Sequence, residues 1–347
     1  MNKHNYYIMS GDTVVGKWED NELTVINDKL LPLYLKNISH ADMWLETRAI
    51  DSHRANSRLL KKALRLAEKD DVNTVLYVNA VTITDNYWIK PLDSQLKYED
   101  VQFYDDYFAG LALKGSYASF NKAVNSKRTN TPELTNIGSF EKCWRLINGQ
   151  WWMFKTATHQ ELFSELFIYK LGVALGMNMA VYERGEQYVK TLDFTNGASV
   201  NFEPAFAFMG ENEDYEDVAK GINKLCPKAI GDFVKMIFLD TIVANPDRHT
   251  ANFGLLRDTK SGEFIGFAPV FDHNMALISR GYPNPPTKND FLINCFNDFI
   301  SNHSEYIQFI PTVTEEIITD ILEELNMKVR RKEIINIIMK RYAMIKK

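Results

Sequence analysis

The sequence predicts an α+β fold in two lobes, with a strand-rich small lobe at about residues 116–196 and a mainly helical large lobe at 197–347. An N-terminal accessory region over 1–115 precedes them. Three observations carry this expectation. Short aromatic and β-branched runs punctuated by glycine crowd the middle of the chain, at 151–155 after Asn148-Gly149 and at 187–194 after Gly185. Apolar residues recur at helical spacing over 233–243, 312–325 and 329–344. A chain of 347 residues that is 45% hydrophobic and 12% aromatic can bury the core of a two-lobed enzyme.

In chain order, residues 6–36 break into short pieces at 6–9, 14–18, 23–26 and 30–35, separated by Gly11, Gly16 and Asn27-Asp28, a strand-rich start. Residues 57–68 place Leu59, Leu60, Ala63, Leu66 and Ala67 on one helical stripe. Lys61, Lys62, Arg65, Glu68 and Lys69 lie beside it as a solvated face rather than a partner surface. Residues 79–90 combine β-branched and aromatic residues into a strand that Pro91 ends, with Tyr87 and Trp88 as packed aromatics. The polar stretch 115–135 reads as a mobile connection.

A backbone loop near Gly138 and Ser139 offers N–H groups and a missing Cβ to a phosphate, without a Gly-x-Gly-x-x-Gly or Walker-type run. A hairpin turning at Gly149 then brings Lys155 to the end of an aromatic strand. Thr158-His-Gln-Glu161 has the form of a capping box, and Leu162, Leu166, Tyr169 and Val173 continue it as a helix ending near Gly172 or Gly176. In this strand–Lys–helix unit a cationic strand end can meet nucleotide phosphates while a helical carboxylate holds the side chain. Glu161 and Glu165, one turn apart, are the two candidates. Strands at 180–182 and 187–194 follow, joined around Arg184-Gly185, and a hinge at 192–196 would offer backbone groups to adenine.

The acidic run 211–217 reads as a solvated loop. The apolar helix over 233–243 cannot continue through Pro246, so the chain turns sharply before Asp247. A strand at 253–256, a connection at 257–262 and a returning strand at 264–270 deliver Asp272. Asp247 can orient or deprotonate an acceptor hydroxyl. Asn252 and Asp272 are hard oxygen ligands suited to Mg2+. Asp, Asn and Asp in this order and spacing match the catalytic-loop and metal-binding residues of protein kinases. The letters differ, with Asp247-Arg248-His249 for His-Arg-Asp and Phe271-Asp272-His273 for Asp-Phe-Gly. Arg248 can hold an acidic backbone-side partner or a phosphate, and His249 can pack on the loop and donate a hydrogen bond. With Asp247 and Asp272, His249 and His273 also permit a metal-dependent hydrolase site, although no zinc spacing is met. The Pro283-Asn-Pro-Pro-Thr segment interrupts regular structure as part of a substrate loop, and the helices at 312–325 and 329–344 complete the large lobe.

Asn245-Pro-Asp-Arg-His-Thr-Ala-Asn-Phe-Gly254 and Ala268-Pro-Val-Phe-Asp-His-Asn-Met-Ala-Leu277 resemble the HipA-like kinase family, which includes the serine/threonine kinase toxins of bacterial toxin–antitoxin systems. The resemblance covers most of residues 40–300. It looks closer to shorter, stand-alone HipA-like proteins of bacteria and phages through Ser39-His-Ala-Asp, Ile83-Thr-Asp-Asn-Tyr-Trp-Ile-Lys90 and Tyr98-Glu-Asp-Val-Gln-Phe-Tyr104. It implies a protein-kinase-like, HipA-like fold, ATP and Mg2+ as cofactors, a protein substrate phosphorylated on Ser or Thr, and a neutralising antitoxin partner. It favours Glu165, within Ser-Glu-Leu-Phe-Ile-Tyr-Lys-Leu, over Glu161 as the partner of Lys155, and makes Ser139 the local candidate for phosphorylation. A small-molecule kinase, a metal-dependent phosphohydrolase and a nucleotide-binding interaction module with little turnover remain the alternatives.

A net charge of -5 gives no basic footprint for direct nucleic-acid binding. Cys143, Cys226 and Cys295 are dispersed, which indicates neither a disulfide scaffold nor a Cys-rich metal site. The N-terminus lacks the pattern of a secretory signal, and no apolar run is long enough to cross a bilayer. A soluble protein of the cytoplasm is the expectation.

Overall fold

A computed structural model describes residues 5–37, 41–67 and 69–346 of the protein. Ser39 and His40, which carry part of the resemblance, and Glu68 of the charged helix face lie outside the described residues. The chain divides into two units. The first takes Met1–Thr156, Lys190–Glu203 and Leu256–Phe264, and the second Ala157–Val189, Pro204–Leu255 and Ile265–Lys347.

The first unit begins with three short strands, β1 (Tyr6–Ser10), β2 (Thr13–Glu19) and β3 (Glu22–Val25), which β4 (Tyr87–Pro91) joins in the antiparallel order β3-β2-β1-β4. Side chains alternate across a strand, and here both faces are covered. Ile8 and Ile89 enter one core with Tyr6, Val15 and Trp18. Their neighbours Met9 and Trp88 enter a second core that also holds Leu134, Trp144 and Trp151.

Local signals and observed elements differ at several places. Residues 30–35 are not extended, because Pro32 starts a short 3-10 turn, Leu33–Lys36. The helix over 57–68 stops early, at Ser57–Ala63, and Arg65 takes a left-handed conformation with φ 60°. The expected strand 79–90 is regular only from Tyr87. Asn79 and Ala80 have positive φ, and Val81 O and Asp85 are bonded by the side chains of Thr135 and Arg48 rather than by a ladder. Tyr87 and Trp88 are packed, as expected. The stretch 115–135 is not a mobile connection. Ser116 caps a helix, Tyr117–Val124, by accepting from Ser119 N, and a 3-10 turn, Pro132–Thr135, is fully buried.

The β5–β6 hairpin, Lys142–Ile147 and Gln150–Thr156, turns on Asn148 and Gly149, both at positive φ (51° and 80°). Two such residues between paired positions Ile147 and Gln150 suit a type I′ turn, whose twist matches the strands. The next strands are β7 (Tyr182–Arg184), β8 (Tyr188–Leu192), β9 (Val200–Pro204), β10 (Gly254–Asp258) and β11 (Phe264–Phe267), in the sheet orders β5-β6-β8-β7 and β11-β10-β9. The returning strand thus ends at Phe267, three residues short of the expected 270.

The second unit is mainly helical, with Tyr215–Leu225, Ile230–Ile242, Phe291–Asn302, Glu315–Leu325 and Arg331–Ala343 following His159–Ala174. Phe233 is its aromatic centre, 6.1–6.5 Å from the rings of Tyr215, Phe253, Phe267 and Phe299. Arg341 on the last helix donates to Thr241 O and pairs with Asp290 at 2.6 Å, fixing the end of Ile230–Ile242. The acidic run contributes a cap, since Asp214 accepts from Asp217 N at the start of Tyr215–Leu225. Residues 282–287 have no regular structure. No helix among the described residues is long and apolar enough to cross a membrane.

Candidate functional site

The site of the second unit is built where the buried helix Ile230–Ile242 stops. Val243 closes it, Ala244 turns left-handed with φ 51°, and Pro246 prevents a restart. The following loop is wound on its own backbone. Asn245 N donates to Asp240 O, Asp247 N to Asn245 Oδ1, His249 N to Asp247 O and Asn252 N to His249 O. Asn252 Nδ2 also donates to Asp247 O, at 3.4 Å.

Arg248 ties this loop to its surroundings. Its Nε and Nη2 donate to the two carboxylate oxygens of Asp240 at 2.8 and 3.0 Å, and Nη1 donates to the carbonyls of Asn252 and Phe271 at 2.7 and 2.6 Å. Asp240 is buried in an apolar helix, a position a lone carboxylate does not tolerate. Burial pushes its pKa up, but the Arg248 guanidinium and His273 outweigh that and hold Asp240 below the usual carboxylate range. Asn245 Nδ2 adds a third hydrogen bond to Asp240, at 2.7 Å. Arg248 therefore holds an acidic partner, Asp240, together with the carbonyls of Asn252 and Phe271.

Burial pushes the pKa of His273 down. Its Nε2 lies 2.9 Å from Arg248 Nη2 and 3.5 Å from Asp240 Oδ1, so the ring is engaged with that buried ion pair. Among the described residues no group of three or more His, Cys, Asp or Glu is arranged to hold a metal ion. His249 packs on the loop, its Nδ1 accepting from Ala251 N at 3.3 Å.

Asp272 occupies the left-handed region with φ 61°, and its N–H donates to the Tyr182 hydroxyl at 3.0 Å. One residue on, His273 N donates to Glu165 Oε2 at 3.0 Å. Glu165 is buried in the helix His159–Ala174, whereas Glu161 completes the capping box with Thr158 at its start. The structure thus commits Glu161 to the cap and Glu165 to the turn that carries Asp272. Asp247 is half-buried. Burial raises its pKa, His249 opposes this, and the neighbouring Asp272 carboxylate raises it again. Asp247, Asn252, Asp272 and Glu165 therefore belong to one bonded neighbourhood of the second unit.

The remaining candidates lie in the first unit. Lys155 is nearly buried on β6, opposite Lys142 of β5. Gly138 has φ 103°, a conformation that favours glycine, and Ser139 is exposed beside it. Sequence reasoning missed Asp240, Asn245 and Tyr182. A lone Asp inside the apolar run 233–243 was the available signal for the first, since such a carboxylate needs a cation nearby in space.

No curated protein matches the sequence. Among solved structures, the Helicobacter pylori proinflammatory kinase CtkA aligns at 18% identity over 59% of this chain and 90% of that one, with a TM-score of 0.45. A chain in the complex of the Shewanella oneidensis MR-1 toxin–antitoxin proteins HipA and HipB with operator DNA aligns at 12% identity over 97% of both chains, with a TM-score of 0.53. That full-length likeness shows a two-lobed α+β fold of HipA type, with a strand-rich small lobe and a helical large lobe. The HipA-like C-terminal domain family matches residues 142–332, more than half of the chain and the whole span from Lys155 to Asp272, and the protein belongs to that family.

Proposed function

We propose that the protein is an ATP- and Mg2+-dependent serine/threonine protein kinase of the stand-alone HipA-like kind, acting in the cytoplasm as the toxin of a toxin–antitoxin pair. The observation that carries this reading is the Arg248 node. One buried guanidinium bonds the helix end, the loop of Asp247 and Asn252, and the turn of Asp272. Phosphoryl transfer depends mainly on positioning and electrostatics, so rigid placement of these groups is what the chemistry needs.

In this reading Asp247 orients the acceptor hydroxyl and takes its proton, and a raised pKa improves it as a base. Asn252 and Asp272 would hold Mg2+, which supplies positive charge to the phosphates. Their donors fit a hard cation. The Asn252 amide nitrogen is engaged by Asp247 O, which leaves its amide oxygen as the ligand end, and Asp272 offers a carboxylate. Lys155 meets the phosphates with Glu165 as its ordering carboxylate, and backbone N–H groups near Gly138 and Ser139 cover them. The Shewanella complex contains the HipB partner of its HipA. By analogy, a neutralising protein is the proposed partner here.

Asp247→Asn tests the reading. It should bind ATP-Mg2+ like wild type but transfer the terminal phosphoryl group at least about 100-fold more slowly, in autophosphorylation on Ser or Thr with Ser139 the first site to check. Controlled expression of wild type, but not of Asp247→Asn, should slow growth. Equal transfer rates would remove Asp247 from the mechanism. ATP binding without transfer by either protein would favour a binding module with little turnover.

A further inference from the structure

Arg54 is buried in the first unit, in the turn 51–54 closed by Arg54 N donating to Asp51 O. Its two carbonyl partners lie more than 80 residues further along the chain. Nη1 donates to Asn136 O at 3.0 Å and Nη2 to Lys142 O. These carbonyls are the two ends of the loop that carries Gly138 and Ser139. Glu133 stands 3.7 Å from the same guanidinium. It accepts from Asn136 Nδ2 at 3.1 Å and from Trp144 N at 2.8 Å, one contact on each side of the loop. Asn56 adds a further hold by donating from its backbone N–H to Glu141 Oε1 at 3.1 Å and from its side chain to Oε2.

Between these anchors the tip is open, with Ile137 48% exposed and Ser139 exposed as well. A planar fork of fixed geometry suits two carbonyls at a set separation, which a lysine ammonium cannot bridge in the same way. Burying a guanidinium is costly, and the opposed Glu133 carboxylate offsets part of that. Burial also raises Glu133, to about 7, against Arg54, Asn136 and Trp144 N–H, so this carboxyl is strongly desolvated.

We propose that Arg54 is a positioning residue for the nucleotide. By pinning both ends of the loop 136–142 it sets the backbone around Gly138 and Ser139 in the shape that receives phosphate before any ligand arrives. The proposal rests on the kinase reading above, in which this loop covers the phosphates of ATP. A loop ordered in advance loses less freedom on binding, and small misplacements of such groups weaken function strongly.

The test uses the full chain with Arg54→Met and the milder Arg54→Lys, which keeps the charge and loses the fork. Amide hydrogen exchange without nucleotide should be about 10-fold faster at 137–141 in Arg54→Met, with the β5–β6 hairpin unchanged. In transfer assays the KM for ATP should rise about 10- to 100-fold while kcat changes less, with Arg54→Lys intermediate. Unchanged loop exchange in both variants would overturn the clamp whatever the nucleotide does. Faster exchange with an unchanged KM for ATP would show that the loop does not serve the nucleotide. Wild type that neither binds ATP-Mg2+ nor transfers phosphate would remove the proposal together with the kinase reading, a pattern distinct from the other two. If Arg54→Met does not fold, Arg54→Lys decides by the same readings.

Discussion

Arg248 and Asp240 set the scale at which single residues matter in this protein. Side chains with 6% and 2% exposure face each other at 2.8 Å, and neither charge reaches bulk water. Removing one member leaves the other buried and unpaired, so Arg248→Met should lower stability by about 3–5 kcal/mol, read as a shift in the urea midpoint by circular dichroism. Restoring neutrality with Asp240→Asn in the same chain should recover part of the loss. A single variant within about 1 kcal/mol of wild type would mean that the pair does not hold the loop. The pairing was illegible in the sequence for a physical reason. Asp240 reads as one residue of an apolar helix and Arg248 as one letter of a loop, and only the backward turn at Ala244–Pro246 brings them together. Asp247, Asn252 and Asp272 stood out as candidates because their order along the chain carries a pattern.

At the scale of elements, the signals that held are those acting within a few residues. The Thr158–Glu161 capping box opens His159–Ala174 through its two reciprocal hydrogen bonds, at 3.2 and 2.8 Å, and Asn148-Gly149 turns the hairpin. Gly149 at φ 80° holds a backbone conformation that L side chains rarely adopt. Gly149→Ala should destabilise the hairpin by roughly 1–2 kcal/mol, seen as an earlier thermal transition in tryptophan fluorescence, since Trp144, Trp151 and Trp152 flank the turn. A melting curve that does not move would exclude the strained turn. The elements that sequence reasoning misplaced are those decided by distant partners. Residues 81–86 are β-branched enough to read as a strand, yet Arg48, Thr135 and Ser10 take up their polar groups. The polar stretch 115–135 looked like a linker because its buried carboxylate, Glu133, is matched by an arginine far back in the chain, Arg54.

For the molecule as a whole, the first unit is assembled from three separate segments that meet at Arg257. Its guanidinium pairs with Glu203 at 3.0 Å, donates to Leu31 O at 2.8 Å and to Lys29 O, and the Tyr87 hydroxyl donates to the same carboxylate at 2.7 Å. Burial pushes the Glu203 pKa up, and Arg257 and Tyr87 push it back. All six tryptophans, residues 18, 44, 88, 144, 151 and 152, belong to this unit, so their fluorescence reports its unfolding alone. Arg257→Gln should lower the tryptophan-detected stability by about 3–5 kcal/mol, because Glu203 loses its buried cation. An unchanged tryptophan transition would show that the third segment is dispensable to the unit.

The same node imposes an order on synthesis. Glu203 leaves the ribosome 54 residues before the arginine that neutralises it. At about 5–20 residues per second that interval lasts roughly 3–11 s. During it the nascent chain already holds Tyr87 and the Lys29–Leu31 backbone around an acid with no cation, while Gly262, whose carbonyl accepts from Arg257 Nε, follows later still. A message cut or a ribosome stalled between these two codons yields a polypeptide that already contains Gly138, Ser139, Lys155 and Glu165 yet leaves Glu203 without its buried cation, so the first unit reaches its full stability only once translation has passed Arg257.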